Sequence, residues 1–206
     1  MEKYFYMFLL LIMALSMASC SESDDTVEEF PDWQKNNEAY FTNMYTSAKQ
    51  KIASGDTSWK VIKCYSMPEE SATYTSTPEQ HIVVNVLQEG TGAGCPLYTD
   101  SVSCHYSGRL LPSTTYTDGF RFDQSWYGTF NEATAKPSRF VVSGLIDGFS
   151  TAIQNMHIGD HWLVYIPYQL GYGVTGSTNI PSYSTLIFDI TLVGYNRPGA
   201  GAITFQ

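Results

Sequence analysis

The sequence predicts an α+β fold, in which an antiparallel sheet packs against one short helix and a longer helix precedes the sheet. Several segments alternate apolar and polar residues as strands do, most clearly Thr185–Gly194. The segment Asp147–Met156 places its apolar residues on one helical face. Tyr (15), Phe (11) and Gly (16) are plentiful while only 15% of the residues are charged, and this composition favours strands and turns over long charged helices.

The longer helix is predicted from apolar residues that recur at i+3 and i+4 spacing between Trp33 and Ile52. We expect Asp32 to be its N-cap and Ser54-Gly55 to end it, because glycine is a natural C-cap. Its aromatic stripe is interpreted as core contact rather than a binding site. The predicted strands are Ser58–Ser66, His81–Gln88, Ser101–Leu111, Ser138–Val142, His161–Pro167 and Thr185–Gly194.

The charge is acidic and unevenly distributed. The net charge is −9, which argues against nucleic acid as the main partner, because phosphate backbones require a cationic surface. Six of the 20 acidic residues lie between Glu22 and Asp32, whereas residues 33–206 carry 13 acidic and 10 basic residues. The acidity therefore belongs mostly to a tail, and the folded part is close to neutral.

The N-terminus has the features of an export signal. Lys3 precedes an apolar run, Tyr4–Met17, which is shorter than the ~20 residues of a membrane span and fits a secretory signal. The run ends in Met17-Ala18-Ser19-Cys20 and resembles a bacterial lipoprotein signal, which implies removal of residues 1–19 and lipidation of Cys20 at the outer membrane. An ordinary signal peptide with a chance cysteine is the alternative.

The acidic segment Ser21–Asp25 resembles export signals that send some lipoproteins to the cell surface. A solvated spacer on the periplasmic side of the membrane is the alternative. Either way, the chain is expected in the cell envelope, held at the membrane by its lipid.

Cysteine and histidine spacing predicts no metal site, and we expect no cofactor. Beyond Cys20, Cys64 and Cys95 are the favoured disulfide pair, because both lie near predicted turns and an exported location permits a disulfide. Cys104 alternates with apolar residues in its strand and is expected to be a buried thiol. His105 and His161 lie inside strands and are interpreted as structural.

No nucleophile elbow, phosphate-binding loop or dinucleotide fingerprint occurs in the sequence. Residues 101–195 instead resemble the FKBP-type peptidyl-prolyl cis-trans isomerases. The matching segments, in order, are Ser103–Leu110, Gly119–Ser125, Phe140–Gly144, Leu145–Gly159, Ile166–Gly173 and Ile180–Ile190. The resemblance implies a twisted antiparallel sheet wrapped around one short helix. It also implies an enzyme that isomerises Xaa–Pro bonds of proline-containing polypeptides, and we expect a monomer.

The resemblance also implies the roles of individual residues. The walls of a pocket for the proline ring would be Tyr106, Phe122, Ile146, Phe149 and Phe188, and further substrate contacts would come from Leu145 and Ile180. Asp123 would lie at the rim, held by Tyr106 and close to the rotating amide. The Ile146 amide and the Tyr172 hydroxyl would donate to substrate carbonyls. Plain core packing of the aromatic residues, and a turn cap at Asp123, are the alternatives.

The sequence departs from the family pattern at several points. Phe149 replaces the usual tryptophan of the pocket floor, Ser138 replaces an aromatic residue, and Ser177 replaces a loop histidine. The segments Leu111–Phe120 and Gln124–Pro137 are longer than usual, and such loops govern substrate access. Aromatic residues of the second segment could grip an unfolded chain or fold back as a lid; they are Trp126, Tyr127 and Phe130.

Two other functions are compatible with the sequence. One is an FKBP-like binding or chaperone module without catalysis, and the other is a surface lipoprotein that binds a glycan or a host protein. The predicted organisation is a signal peptide (1–19), an acidic linker after lipidated Cys20 (20–31), a helical extension with one strand (32–80), an FKBP-like domain (81–196) and a tail (197–206).

Overall fold

A computed structural model of the protein describes residues 27–131 and 133–199. Within these ranges the α-helices are α1 (Trp33–Ala53) and α2 (Asp147–Ile153). The strands are β1 (Trp59–Lys63), β2 (His81–Gln88), β3 (Ser101–Arg109), β4 (Arg121–Gln124), β5 (Ser138–Val141), β6 (His161–Ile166) and β7 (Leu186–Asn196). The predicted signal peptide, Cys20 and the acidic segment Ser21–Asp25 lie outside the described residues.

All seven strands belong to one antiparallel sheet with the order β1-β2-β6-β7-β3-β4, and β5 pairs with β3 beside β4. The longest pairing joins β3 to β7, from Ser101 opposite Asn196 to Arg109 opposite Ile187. This sheet, with one short helix packed on it and a longer helix before it, confirms the α+β prediction. Strand β4 was not predicted.

The inner face of the sheet packs against α2 and carries the larger hydrophobic core. Trp162 of β6 and Ile190 of β7 are fully buried there, together with Ile153 of α2. Successive residues of a strand point to opposite faces, so every second residue of the central strands meets the helix. This alternation places the family-like aromatic residues of β3 and β7 on the helix side.

The outer face of the sheet is partly covered by α1. Phe41 and Ala48 of the helix pack on Val83, Tyr165 and other residues of the sheet, so the aromatic stripe is core contact, as predicted. Asn37 is fully buried; its Oδ1 accepts a 2.7 Å hydrogen bond from the Thr185 amide. The helix is therefore an integral layer of the fold. In the described part of the chain, no helix has both the length and the apolarity needed to cross a membrane.

The N-terminal segment before α1 is fixed to the long loop between β3 and β4. The Glu29 side chain accepts hydrogen bonds from the Ser113 hydroxyl and, at 3.1 Å, from the Thr115 amide. Phe30 packs against the inner core and stacks edge-on against Trp33 at 4.8 Å. The inserted loop is thus held by contacts from a distant part of the chain.

Asp32 is the N-cap of α1, as predicted, but its backbone is left-handed with φ of 49° and its side chain caps no amide. One expectation about local structure is wrong. The favoured Cys64–Cys95 disulfide is absent, because both cysteines are free thiols with different neighbours. The Cys64 sulfur contacts the Ser66 hydroxyl at 3.3 Å, and Cys95 lies 3.9 Å from His157 Nε2.

Other local predictions are confirmed. Gly55, with φ of +91°, follows the last residues of α1 as a C-terminal glycine does. Cys104 is fully buried in β3, and this burial raises the pKa of its thiol to about 12. The thiol is therefore protonated at neutral pH and behaves as a small apolar side chain.

Candidate active site

An aromatic cluster occupies the inner face of the sheet beside the start of α2. It consists of Tyr106 of β3, Phe122 of β4, Phe140 of β5, Phe149 of α2 and Phe188 of β7. The ring centroids of its neighbouring pairs are 5.0–6.5 Å apart, and most pairs meet edge to face, which is the favourable geometry for aromatic rings. Residues far apart in sequence therefore meet at one place.

Phe149 packs against the rings of Tyr106, Phe140 and Phe188. Its ring is 5.0 Å from Phe188 and 6.0 Å from Tyr106, nearly perpendicular to both. These three side chains are buried, whereas Phe122 is half-buried. The cluster thus has a buried base formed by β3, β7 and α2, and an open side formed by β4.

Gly108 of β3 makes this packing feasible. A Cβ atom on Gly108 would lie 2.6 Å from the Phe122 ring and 2.6 Å from the Phe188 ring. The two rings meet at 5.5 Å, nearly perpendicular, over the space that a side chain would fill. Glycine is therefore required at this position by close approach rather than by backbone conformation.

The carboxylate of Asp123 lies at the open side of the cluster. Tyr106 donates a hydrogen bond of 2.7 Å from its hydroxyl to Oδ2 of Asp123, and Oδ1 accepts a 2.8 Å bond from the Gln124 amide. Asp123 is exposed, so its carboxylate contacts solvent while it accepts the hydrogen bond of the buried Tyr106 phenol. Burial, and then the bond to Asp123, raise the pKa of Tyr106, which keeps its phenol neutral.

Tyr172 approaches the same carboxylate from the loop between β6 and β7. Its side chain is 36% exposed, and its hydroxyl makes no hydrogen bond to the described part of the chain. Partial burial, and then the charge of Asp123, raise the pKa of Tyr172. The phenol therefore retains its proton above the usual range and can donate it in a hydrogen bond.

The loop that carries Tyr172 is fixed by backbone hydrogen bonds. The Gly173 amide donates to the Tyr168 carbonyl at 2.8 Å, and the Gly173 carbonyl accepts from the Tyr183 amide at 3.0 Å. Gly173 has φ of +64°, a left-handed conformation that glycine adopts without strain. The position of Tyr172 is consequently set by a defined turn.

Leu145 and Ile146 join the short turn after β5 to α2. Both side chains are half-buried and pack against the core that contains Phe149. Ile146 has an extended backbone and immediately precedes α2, and its amide donates to no carbonyl of the described residues. An amide before the first turn of a helix is one of its unsatisfied donors, so this group is available to an acceptor from outside.

Ile180 is buried in the loop before β7 and belongs to the same hydrophobic core. The structure therefore brings six of the nine predicted residues to the aromatic cluster or its rim, while Leu145, Ile146 and Ile180 pack in the same core. Phe140 was not selected as a site residue, although it lies in a segment that carries the resemblance. Phe140 lies two residues after Ser138 and therefore on the same face of β5. Because Ser138 occupies a position where the family has an aromatic residue, this spacing could have identified Phe140.

The long loop after β4 does not cover the cluster. The rings of Trp126 and Phe130 meet at a tilt, with centroids 4.6 Å apart, and Phe130 lies 5.1 Å from His105 on the outer face of the sheet. Tyr127 is 90% exposed. Trp126 and Phe130 therefore form no lid over the aromatic cluster, and a grip on an unfolded chain stays a prediction.

The described residues contain no group of three or more His, Cys, Asp or Glu side chains that could hold a metal ion. The side chains of the site itself are neutral phenol donors, one carboxylate and apolar rings. Such a set can bind and desolvate an amide, and it contains no nucleophile activated by a neighbouring base.

The aromatic cluster lies in a region that matches a known family. Residues 95–193 match the model of the FKBP-type peptidyl-prolyl cis-trans isomerases. The chain is 37% identical over 121 residues to a macrophage infectivity potentiator of Trypanosoma cruzi, covering 58% of this chain and 56% of that protein. It is 35% identical over 119 residues to an FKBP-type 22 kDa peptidyl-prolyl cis-trans isomerase of Escherichia coli, covering 57% and 52%.

The chain thus spans about half the length of these curated relatives. Among solved structures, the fold is similar to a peptidyl-prolyl cis-trans isomerase from Pseudomonas syringae, with a TM-score of 0.54 and 24% identity. That similarity covers 80% of this chain and 96% of the other, and it supports the fold beyond the region that the family model matches.

Proposed function

Because residues 95–193 of this chain belong to the FKBP-type peptidyl-prolyl cis-trans isomerase family, we propose that the chain accelerates rotation about Xaa–Pro bonds in polypeptides. The observation that carries this proposal is the aromatic cluster with the Tyr106–Asp123 hydrogen bond at its open side. The activity would assist the folding of exported proteins, since proline isomerisation limits folding on a scale of tens of seconds.

The reaction requires no covalent chemistry. Resonance gives the amide C–N bond partial double-bond character, and rotation about it has a barrier of about 18–20 kcal/mol. At 90° of twist the resonance is lost, so the amide is less dipolar than in its planar forms. A water-poor aromatic site can therefore favour the twisted amide over the planar one, which loses more hydration on entry.

We assign the buried base to the proline ring. Phe149, Phe188 and Tyr106 offer an apolar surface whose rings support one another edge to face. Half-buried Phe122, Leu145 and Ile146 would contact the ring from the open side, and Ile180 would contact the adjoining chain. These contacts would orient the prolyl residue and exclude water from the amide.

We assign the polar groups to the substrate carbonyls. The Ile146 amide and the Tyr172 hydroxyl, both without a partner in the described part of the chain, would each donate to one carbonyl. The Asp123 carboxylate, held by Tyr106, would lie beside the rotating amide. A ~10⁵-fold acceleration needs roughly 7 kcal/mol, which desolvation and two or three directed hydrogen bonds can supply.

The test is an NMR exchange experiment on a short Xaa–Pro peptide with the full chain added. We expect the cis and trans resonances to exchange faster than in buffer, in proportion to protein concentration. Exchange at the buffer rate would overturn the proposal. Shifted peptide resonances without faster exchange would identify the alternative, a binding module that uses the same cluster.

We further propose that the chain resides in the cell envelope as a lipoprotein. The support is the apolar segment that ends at Cys20 and the acidic residues after it. Mass spectrometry of the mature N-terminus should find acyl chains on Cys20, and protease treatment of intact cells would distinguish the cell surface from the periplasmic face. An unmodified Cys20, or cleavage elsewhere, would overturn the lipid anchor.

A further inference from the structure

A second concave site lies on the outer face of the sheet. We call it the outer pocket; its volume is about 380 Å³, within the usual range for small-molecule sites. The residues that matter for its chemistry are Gln88, Trp126, Phe130, His161, Asp189 and Thr191. Helix α1 covers the other part of this face, so the pocket lies between that helix layer and the long loop after β4.

The outer pocket is separate from the aromatic cluster. His105 and Asp189 line the pocket, whereas their neighbours Tyr106 and Phe188 belong to the cluster. Because successive strand residues point to opposite faces, the thickness of the sheet lies between the two sites. A ligand in one site therefore does not contact the side chains that form the other.

One wall of the outer pocket is aromatic. The loop after β4 folds Trp126 and Phe130 together at 4.6 Å, and Phe130 meets the His105 ring edge-on at 5.1 Å. Trp126 is half-buried, so part of its ring remains accessible. An accessible indole face is a platform for a flat, weakly polar surface.

The floor of the outer pocket is polar and close to neutral. His161 donates a 2.7 Å hydrogen bond from Nε2 to Oδ1 of Asp189, and both side chains remain about one-third to two-fifths exposed. Oδ2 of Asp189, and the side chains of Gln88 and Thr191, make no hydrogen bond to the described part of the chain. Acceptors and donors therefore lie side by side, facing the aromatic wall.

This combination selects among ligand classes. A bare anion would face the Asp189 carboxylate, and an extended peptide strand could not pair with the backbone, because β3, β6 and β7 each have partners on both sides. A ligand with a flat C–H face would pack on the Trp126 ring, and its hydroxyl groups would form hydrogen bonds with the Asp189 carboxylate and the Gln88 amide. We propose that the outer pocket binds a neutral sugar unit of a glycan.

The test uses the full chain and a panel of methyl hexopyranosides and N-acetylglucosamine, titrated in the millimolar range. Saturation-transfer NMR should show at least one sugar bound saturably, with the strongest transfer to the protons of one ring face. Asp189→Asn should weaken that sugar about tenfold or more, since hydrogen bonds to a charged group are the stronger ones. Gln88→Ala, at an exposed strand end, should weaken binding without affecting the fold.

The aromatic wall has a matched pair of variants in one loop. Trp126→Ala should abolish saturable binding, whereas Tyr127→Ala, at a residue that is 90% exposed and does not line the pocket, should leave it unchanged. Trp126→Phe should retain part of the affinity. Thermal unfolding of each variant identifies any loss that comes from misfolding.

Three results would overturn the inference. The first is that no sugar in the panel binds saturably. The second is that a sugar binds Gln88→Ala and Trp126→Ala as well as the parent chain. The third is that only an unfolded peptide binds at Trp126. The inference does not rest on isomerase activity, so it can fail or succeed whatever the Xaa–Pro exchange experiment shows.

Discussion

The hydroxyl of Tyr106 donates a hydrogen bond of 2.7 Å to the carboxylate of Asp123. The two residues belong to adjacent strands, and Asp123 lies opposite Gly108 in their register. The bond fixes an exposed acid above buried rings, and it orients the phenol toward the open side of the aromatic cluster. A charge is thus held at a defined place on an otherwise apolar site.

Removal of this charge should slow the proposed reaction. Asp123→Ala deprives the Tyr106 phenol of its acceptor and the rotating amide of a nearby charge, so we expect kcat/KM to fall roughly tenfold, equivalent to about 1.4 kcal/mol. The measurement is Xaa–Pro exchange by NMR. Asp118→Ala, in the preceding loop, is the control and should retain the parent rate; an equal loss in both variants would contradict the assignment.

The Tyr172 hydroxyl should matter for rate but little for stability. Tyr172→Phe removes one donor whose hydrogen bond to a substrate carbonyl is worth about 1 kcal/mol, so kcat/KM should fall several-fold while the melting temperature stays the same. Tyr127→Phe removes a similar hydroxyl from a fully solvated position and should change neither quantity. An unchanged rate in Tyr172→Phe would remove this residue from the mechanism.

Close packing at Gly108 predicts a large effect from one methyl group. Gly108→Ala would place a Cβ 2.6 Å from both Phe122 and Phe188, and such overpacking costs about 1–3 kcal/mol. The free energy of unfolding in urea should fall by that amount, and activity should fall because the rings separate. Gly144→Ala has no heavy atom within 4 Å of the new Cβ and should leave stability almost unaltered.

The buried amide of Asn37 should anchor α1 to the sheet. Asn37→Ala leaves the Thr185 amide without its 2.7 Å acceptor, and an unsatisfied buried donor costs about 1–3 kcal/mol. Urea unfolding should detect this loss. Asn43→Ala, on the exposed side of the same helix, should be neutral or slightly stabilising, because alanine has the higher helix propensity.

The His161–Asp189 pair predicts a pH dependence of stability. The hydrogen bond to Asp189 raises the pKa of His161, against a smaller opposing effect of burial. The pair therefore contributes fully below the pKa of the unfolded state, and this contribution is lost as pH rises through the higher folded pKa. The difference in unfolding free energy between the parent chain and His161→Gln should shrink as pH rises above the ordinary histidine pKa of about 6.5; a constant difference would contradict the prediction.

Much of the fold could be predicted because its strands alternate clearly. The alternation in Thr185–Gly194 and around Cys104 predicted the strands that the structure shows as β7 and β3. The site residues are predicted by the family resemblance and not by the periodicity of apolar residues, because no spacing rule brings Phe122 and Phe149 together. Their convergence depends on strand order, which one sequence does not reveal.

The direction of the long loop after β4 could not be predicted. Local preferences say nothing of whether Trp126 and Phe130 turn toward the aromatic cluster or toward His105, because both destinations bury aromatic surface. The failed Cys64–Cys95 pairing has a similar cause. Proximity to turns does not determine whether two sulfur atoms meet, and each thiol has another neighbour.

The attachment of Glu29 to the loop at Ser113 and Thr115 has a geometric consequence if Cys20 carries lipid as proposed. Val27, the first described residue, lies seven positions after Cys20, and seven residues span at most about 25 Å. The segment between Cys20 and Val27 would then join the domain at the same end as the loop that leads into β4. The catalytic rim would then work close to the bilayer, and its clients would be chains that emerge at that membrane rather than proteins free in bulk solution.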